Sequence, residues 1–235
     1  QFRNYLYNYL CKNNIKSYDE YIEAIKSDKK MLDDFVTYLT INVSEFYRNP
    51  EQWKLLENEI LPYLFERFGN NLKIWSAACS TGDEPYTLVM LLSKFIPLNK
   101  IKVIATDLDR VVLEKAHIGL YDEKSLKGLP KEYITKYFTK VGTKSYQISD
   151  DIKKCVEFKQ HNLLKDTYPS DCNMIICRNV MIYFTEEAKA EIYKKFNASL
   201  KSDGILFVGS TEQIISPGDS GFSTYKSFFY KKAAR

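Results

Sequence analysis

Apolar residues recur with a helical period over the first part of the chain. Two groups each fall on one face of a helix: Tyr18, Tyr21, Ile22 and Ile25, and then Met31, Leu32, Phe35, Val36 and Leu39. A further helix is predicted over residues 51–68, after the break at Asn49-Pro50. The turn Gly69–Asn71 marks a boundary, so residues 1–68 are expected to form an N-terminal helical domain.

From Leu72 onward, short apolar runs alternate with longer helical stretches. Four runs predict buried strands: LKIWSAA, IKVIATD, CNMIIC and GILFVG. Three stretches predict helices: PYTLVMLLSKF, RVVLEKAHIGLY and EEAKAEIYKKFNASL. This alternation is typical of a parallel α/β sheet with helices on both faces, and it predicts such a domain over residues 69–235.

Residues 121–160 depart from that alternation. They are polar and rich in lysine, and short alternating segments such as SYQIS and CVEF predict a small antiparallel β-subdomain inserted into the α/β domain. The net charge of the chain is +4, and residues 120–165 hold 10 Lys against 6 Asp and Glu. The whole basic excess therefore lies in this segment. It is either a solvated lysine-rich surface or a docking surface for an acidic partner.

The cysteines limit the class of protein. The chain has five, none of them in a C-x-x-C pair: Cys11, Cys79, Cys155, Cys172 and Cys177. With only two histidines, neither a zinc site nor a disulfide framework is predicted, and reduced thiols in a cytoplasmic protein are expected. No signal peptide and no apolar run of transmembrane length is found. Without heptad repeats, a monomer is expected.

The turn after the first predicted strand carries Gly82, followed at once by Asp83 and Glu84. A dinucleotide-binding turn would have the pattern G-x-G-x-x-G and would offer its helix N–H groups to a pyrophosphate. Here two acidic side chains occupy the start of the helix, where they stabilise its dipole and would repel a phosphate. The turn therefore favours a cationic nucleoside without phosphate, such as S-adenosylmethionine.

Asp107 ends the next predicted strand, 25 residues after Gly82. A carboxylate at that strand end can accept hydrogen bonds from both ribose hydroxyls, as in dinucleotide folds. Ordinary alternatives exist, because Glu84 can be a first-turn acid and Asp107 an N-cap. Together, on successive strands, the two carboxylates favour a nucleoside pocket at the carboxyl ends of the strands.

Six motifs, in order along nearly the whole chain, resemble the CheR-type chemotaxis receptor methyltransferases. They are TINVSEFYRNP (residues 40–50), IWSAACSTGDEPYTL, ATDLD, EFKQHNLL, ICRNVMIYF and GSTE. The resemblance implies a Rossmann-like α/β fold of S-adenosylmethionine-dependent methyltransferases, with an N-terminal helical domain and a small antiparallel β insert. It also implies methyl transfer to glutamate side chains in the cytoplasmic helical bundle of chemotaxis receptors. The products would be the methyl ester and S-adenosylhomocysteine, without any metal, in the service of sensory adaptation.

The resemblance also implies a set of cofactor contacts. They are Asn42, Ser44, Arg48, Glu84, Asp107, Asn162, Leu163, Arg178 and Asn179. Glu84 would meet the ammonium group of the cofactor or a polar group beside it, and Asp107 the ribose. Asn162 and Leu163 would flank the adenine, while Arg178 and Asn179 would border the methionine end. Ser44 stands where the family often has threonine, so a hydroxyl is retained.

Arg48 and Tyr183 are the candidate catalytic residues. A carboxylate acceptor is already an anion at neutral pH and needs no general base, so catalysis requires alignment and charge placement. Arg48 can pair with the acceptor carboxylate or with that of the cofactor, and Tyr183 can donate its O–H to the acceptor. The ordinary alternatives are a surface arginine and a core tyrosine.

Two other function classes remain as alternatives. A nucleic-acid methyltransferase could use the lysine-rich segment, but Arg178-Asn179-Val180 stands where nitrogen acceptors call for an Asn/Asp-Pro-Pro-aromatic turn. A non-catalytic sensor would bind the cofactor without transfer. Binding to nucleic acid and direct insertion into a membrane are not expected.

Some family members grip a receptor tether peptide with a glycine-containing loop in the inserted subdomain. The corresponding segment here, FTKVGTKSYQIS, is short and has one glycine, Gly142. It predicts that this protein does not depend on such a tether.

Overall fold

The structure is a computed structural model that describes residues 17–28, 30–32, 35 and 44–233. Helix α1 spans Tyr18–Ser27, and its buried Tyr21 packs edge-on against Phe35, with ring centroids 5.3 Å apart. Several residues of the predicted sites and helices, including Asn42, Val36, Leu39 and Cys11, lie outside the described residues.

A continuous helical segment follows the left-handed Asn49 (φ 61°). It consists of α2 (Pro50–Leu55), a π-helical turn (Leu56–Ile60) and α3 (Leu61–Phe68). The π-helical turn ends two residues before Pro62, whose ring would clash with a carbonyl of the preceding turn in a regular α-helix. Apolar side chains of the whole helical segment, among them Trp53 of α2, belong to the same core as the sheet described next. The domain boundary at residue 68 stays a prediction.

Within the described part of the chain, seven strands form one sheet. From edge to edge they are β6 (Val156–Gln160), β2 (Val103–Asp107), β1 (Ile74–Ala77), β7 (Cys172–Cys177), β8 (Leu200–Val208), β10 (Phe229–Lys232) and β9 (Phe222–Lys226). The first five run parallel, and the last two form an antiparallel hairpin on β8. The four strands predicted from apolar runs are confirmed as the centre of a mainly parallel sheet.

The predicted crossover helices are also present, as α4 (Asp83–Leu92), α5 (Arg110–Ile118) and α8 (Glu186–Ser199). Helix α5 is shorter than predicted because Gly119 adopts φ 70° and ends it. A Cβ at that position would lie 2.6 Å from Ile148 Cγ2, so the chain approaches the neighbouring strand too closely for any other residue.

The inserted segment forms a second, antiparallel sheet. Its order is β3 (Leu120–Asp122), β5 (Ser145–Ile148) and β4 (Phe138–Val141), with helices α6 (Lys131–Tyr137) and α7 (Asp150–Lys153) beside it. The segment CVEF does not belong to it, contrary to the prediction. It lies in β6, which pairs parallel with β2 at the edge of the large sheet. Its alternation reflects one solvated face, and that pattern is shared by edge strands of either sheet.

Alternate residues of the central strands face two hydrophobic clusters. In β7, Met174 and Ile176 join one cluster while Ile175 and Cys177 join the other. Helices cover both faces, so these strands are buried along their whole length, as parallel strands usually are. The four described cysteines are buried free thiols. Among the described helices, none has the length and apolar character needed to cross a bilayer.

Candidate functional site

The turn between β1 and α4 lies at the carboxyl end of the parallel strands. Three of its residues have positive φ: Ala78 (62°), Ser80 (49°) and Gly82 (89°). A Cβ at Gly82 would lie 2.9 Å from Ala116 Cβ on α5, so the glycine permits both the conformation and the contact. Left-handed Ala and Ser are uncommon and cost about 1–2 kcal/mol each, and such strain is often found at functional sites.

Asp107, the predicted ribose acceptor, holds this turn in place. Its Oδ2 accepts the N–H of Ser80 at 2.7 Å and its Oδ1 accepts the N–H of Asp109 at 3.0 Å. Burial raises the pKa of Asp107, and these two backbone donors oppose the rise. Each carboxylate oxygen can accept a second hydrogen bond, so capacity for a ligand hydroxyl remains.

Glu84 lies in the first turn of α4, beside a buried cation. Ser76 Oγ donates to its Oε1 at 2.8 Å, and Arg178 Nη1 lies 3.5 Å from its Oε2. Burial raises the pKa of Glu84, and the charge of Arg178 opposes that shift. The neighbouring Asp83 accepts the hydroxyl of Thr81 on Oδ2, and its buried Oδ1 has no hydrogen-bond partner among the described residues. Burial raises the pKa of Asp83, and the hydroxyls of Thr81 and Ser44 oppose the rise, which places Ser44 beside the turn.

Arg178 joins the segment around Arg48 to the end of β7. Its guanidinium lies over the rings of Trp53 (5.3 Å) and Phe207 (4.8 Å). Its Nη2 donates to three oxygens: Arg48 O (2.9 Å), Asn49 Oδ1 (3.0 Å) and Gln52 Oε1 (2.8 Å). The structure thus brings the backbone of Arg48, the carboxylate of Glu84 and Arg178 together, and it gives Arg178 protein partners that the sequence did not reveal.

The residues predicted near the adenine follow β6. The N–H of His161 donates to Asp107 O at 2.9 Å, which places this turn beside the end of β2. Asn162 Oδ1 accepts the N–H of Leu164 at 2.9 Å, and Leu163 is buried in the second hydrophobic cluster. Both side chains therefore stabilise the turn itself. Their contact with an adenine stays a prediction.

The loop after β7 carries Asn179 and Tyr183. Asn179 has φ 61°, and its N–H donates to Glu212 Oε2 at 2.6 Å. Tyr183 ends the 3₁₀ turn Met181–Tyr183, and 54% of it is exposed. It is therefore a surface residue and not part of the core. Sequence reasoning did not select Glu212 or Gln52 as site residues, although GSTE was among the quoted motifs.

Unpartnered polar atoms test whether this site suits a cationic nucleoside with an amino-acid end. Several buried side-chain atoms of the described residues lack a hydrogen-bond partner, and five of them lie around the site: Gln52 Nε2, Ser80 Oγ, Asp83 Oδ1, His161 Nδ1 and Arg178 Nε. Gln52 Nε2, Ser80 Oγ and Arg178 Nε are donors of the kind that a carboxylate or hydroxyl binds, and Glu84 and Asp107 add two carboxylates for an ammonium and a ribose. This donor set fits S-adenosylmethionine. No cluster of three or more His, Cys, Asp or Glu side chains suited to a metal occurs in the described ranges.

Comparison with known proteins agrees with the geometry. A family model described as "CheR methyltransferase, SAM binding domain" matches residues 42–228. The chain belongs to the CheR methyltransferase family. That assignment confirms the resemblance and the S-adenosylmethionine-dependent methyltransferase fold.

Three relatives of this CheR methyltransferase show how far the similarity extends. A chemotaxis protein methyltransferase of Listeria monocytogenes is 38% identical over 99% of this chain and 88% of its own length. One from Borreliella burgdorferi is 36% identical over 85% of this chain and 75% of its own. One from Escherichia coli is 33% identical over 89% of this chain and 76% of its own length.

The raised pKa of Glu84 gives a testable pH dependence. An ionised Glu84 attracts an ammonium group, and protonation abolishes that attraction. The pKa of Glu84 lies above the ordinary value, so Glu84 becomes protonated at a higher pH than an exposed glutamate does. As the pH is lowered, binding of S-adenosylhomocysteine should therefore begin to weaken earlier. Calorimetry over a pH series measures this.

Glu84→Gln is the matched variant for this measurement. It should bind about tenfold more weakly at neutral pH and should show a flatter pH profile. Any dependence of affinity on pH that remains in this variant would report the protonation of Asp107, whose pKa is also raised. Parallel pH profiles for the two proteins would contradict the assignment of Glu84.

Proposed function

We propose that this protein methyl-esterifies glutamate side chains in the cytoplasmic region of chemotaxis receptors, releasing S-adenosylhomocysteine, for sensory adaptation. The names of its relatives support a chemotaxis substrate. The observation that carries the proposal is the meeting of Glu84, Arg178 and the Arg48 segment at the strand ends. The exposed Tyr183 lies on the loop that begins with Arg178.

S-adenosylmethionine supplies an electrophilic methyl group when it is bound. In the proposed arrangement Glu84 binds its ammonium group and Asp107 its ribose. Asn162 and Leu163 flank the adenine, while Arg178 and Asn179 border the methionine end. Asn42, Ser44 and Arg48 complete the set, and the influence of the Ser44 hydroxyl on the pKa of Asp83 supports a place for this segment near the cofactor turn.

The acceptor carboxylate is ionised at neutral pH, so its oxygen needs no proton removed before it attacks. The two histidines pack against aromatic rings, His117 against Phe158 and His161 against Trp75, and the proposed reaction requires neither as a base. We infer that Arg48 and Tyr183 act by orientation. The guanidinium offsets negative charge, and the phenol donates a hydrogen bond that fixes the angle of the acceptor.

A transfer assay with a labelled methyl donor tests the reaction class. Label on receptor-containing membranes that is released by mild base indicates glutamate esters and supports the proposal. Base-stable label on nucleic acid would support a nucleic-acid methyltransferase instead. Binding of the cofactor without transfer to either substrate would support the sensor alternative.

The same assay tests Tyr183. Tyr183→Phe removes one hydrogen bond to a charged acceptor, so kcat should fall by roughly tenfold to a hundredfold. Binding of S-adenosylhomocysteine should stay unchanged, because the phenol is assigned to the acceptor. Tyr225→Phe, on the β9 hairpin strand, is the control and should keep the wild-type kcat. Equal kcat values for both variants would remove Tyr183 from the mechanism.

The inserted subdomain carries the surface that we propose for the receptor. A groove of about 740 Å³ has an apolar floor that includes Leu126, Leu129 and Ile134. Its rim includes Lys124, Lys127, Lys131 and Lys144, together with Asp122 and Glu123. Lys136 lies on the adjacent helix α6. This excess of lysine over acid around an apolar floor suits an acidic helical partner, and it would accelerate the partner's approach.

Charge reversal tests this groove. Lys127→Glu combined with Lys131→Glu should raise KM for the receptor about tenfold at low salt, and the difference should shrink as salt is added. Lys100→Glu combined with Lys102→Glu makes the same charge change at exposed positions just before β2 and should have little effect. Similar KM values for the two double variants would argue against steering by the groove.

We also propose that the enzyme does not depend on a receptor tether peptide. Only Gly142, Thr143 and Lys144 connect β4 to β5, and nothing lies within 4 Å of a Cβ at Gly142. So short a turn offers little backbone for gripping a peptide. Calorimetry with a peptide copied from such a tether should show no saturable binding. Micromolar affinity would overturn this part of the proposal.

We further propose that the enzyme is a cytoplasmic monomer that uses no metal, binds no nucleic acid and does not insert into membranes. The net charge of only +4 is small for a protein that binds nucleic acid, which supports a protein partner. Light scattering of the purified chain checks the monomer, and a dimer mass would contradict it.

A further inference from the structure

The GSTE motif, residues 209–212, lies in the loop after β8 and is not explained by the assignments above. Ser210 and Thr211 are exposed, whereas Glu212 is buried with 5% of its surface exposed. A buried carboxylate is costly unless hydrogen bonds replace its water. The partners of Glu212 therefore indicate why it is placed there.

Glu212 accepts three backbone N–H groups. Its Oε2 accepts those of Asn179 (2.6 Å) and Gly209 (3.0 Å), and its Oε1 accepts that of Met181 (2.7 Å). Only Gly209 belongs to its own loop. The other two donors belong to the loop after β7, so a single side chain cross-links the carboxyl ends of two adjacent parallel strands.

The two cross-linked donors flank the functional part of the β7 loop. Asn179, assigned to the methionine end of the cofactor, has φ 61°, a conformation that needs support from its surroundings. Met181 begins the 3₁₀ turn that ends at Tyr183. Fixing these two N–H groups fixes the path of the backbone between Arg178 and Tyr183, the residue proposed to bind the acceptor.

Gly209 belongs to the same contact between the two loops. A Cβ there would lie 2.5 Å from Glu212 Oε2 and 2.9 Å from the nitrogen of Asn179. The glycine therefore leaves room for the carboxylate to reach the β7 loop. The first and last residues of the motif serve one contact, which accounts for their spacing.

We propose that Glu212 is a positioning residue for methyl transfer, acting through the backbone of Asn179 and Met181 without touching the cofactor or the acceptor. Its effect on Tyr183 rests on the function proposed above. Its effect on cofactor binding rests on the assignment of the chain to an S-adenosylmethionine-binding family and on the place proposed for Asn179 at the methionine end of the cofactor.

Glu212→Gln is the first test. The side chain keeps its shape, but its amide nitrogen would face N–H donors and its charge is lost. Affinity for S-adenosylhomocysteine, measured by calorimetry well below the melting temperature, should fall by about tenfold or more. At saturating cofactor, kcat should fall as well, while KM for the receptor should change little because the lysine groove is untouched.

Asp203→Asn is the matched control. Asp203 is a carboxylate on the same strand near its amino end, where it pairs with Arg67 and Lys231, each at 2.9 Å. Its loss should lower the melting temperature without changing the affinity for S-adenosylhomocysteine. The control thus separates general destabilisation from misplacement of the β7 loop.

Gly209→Ala is the second test, and it applies even if Glu212→Gln does not fold. It retains the charge but forces Glu212 and Asn179 apart, so it should weaken cofactor binding as well. Wild-type affinity and kcat in both folded variants would reduce Glu212 to a stabilising residue and overturn the proposal. Failure of the wild-type enzyme to methylate receptors would overturn the proposed function instead, since the binding comparison requires no acceptor.

Discussion

The site depends on the burial of one guanidinium. Arg178 lies between two aromatic rings with 3% of its side chain exposed, and burial lowers its pKa while Glu84 opposes that shift. A charge so removed from water is tolerated because one nitrogen donates to three oxygens of residues 48–52 and the other lies near Glu84. Removing either charge of such a buried pair typically costs about 3–5 kcal/mol, because the remaining charge is left without compensation. The same contacts hold the segment before α2 against the ends of β1 and β7, so the stability of the core and the geometry of the site are coupled.

The loops that meet at Arg178 contain strained backbone. Tyr47, Ala78 and Ser80 have positive φ, as do Asn49 and Asn179, although asparagine tolerates that region better than other residues. Three of these residues donate their N–H groups to side chains elsewhere in the fold: Ser80 to Asp107, Asn179 to Glu212 and Tyr47 to Thr87. Strain of about 1–2 kcal/mol each at Tyr47 and Ser80 persists because rigid elements supply these partners. The site is therefore organised before any ligand arrives, as a reaction that requires alignment demands.

The sequence predicts this fold best where a local pattern determines the structure. Apolar runs identified β1, β2, β7 and β8, and parallel topology then brought Glu84 and Asp107 to the same edge of the sheet. Local patterns failed where partners are distant in the chain. The donors and acceptors around Arg178 are separated by 126 to 130 positions, and Glu212 reaches back 31 to 33 positions to the β7 loop. The alternation in β6 could not say which sheet would pair with it, and Gly119, with φ 70°, ended α5 before the predicted end of that helix at Tyr121.

Hydrogen-bond capacity separates the acidic residues that hold the chain from those suited to hold a ligand. Glu212 accepts two N–H groups on one oxygen and one on the other. Asp107 accepts one N–H on each oxygen, and Glu84 has one hydroxyl on Oε1 and a distant guanidinium on Oε2. A carboxylate can accept about four hydrogen bonds, so Glu84 and Asp107 keep unused lone pairs. Asp107 ends β2, one ladder position beyond the paired Ala77 and Thr106, and Glu84 lies in the first turn of the helix that follows the adjacent β1. Glu212, with three positions filled by N–H groups of the chain, has less capacity left than either, which suits it to hold two loops together.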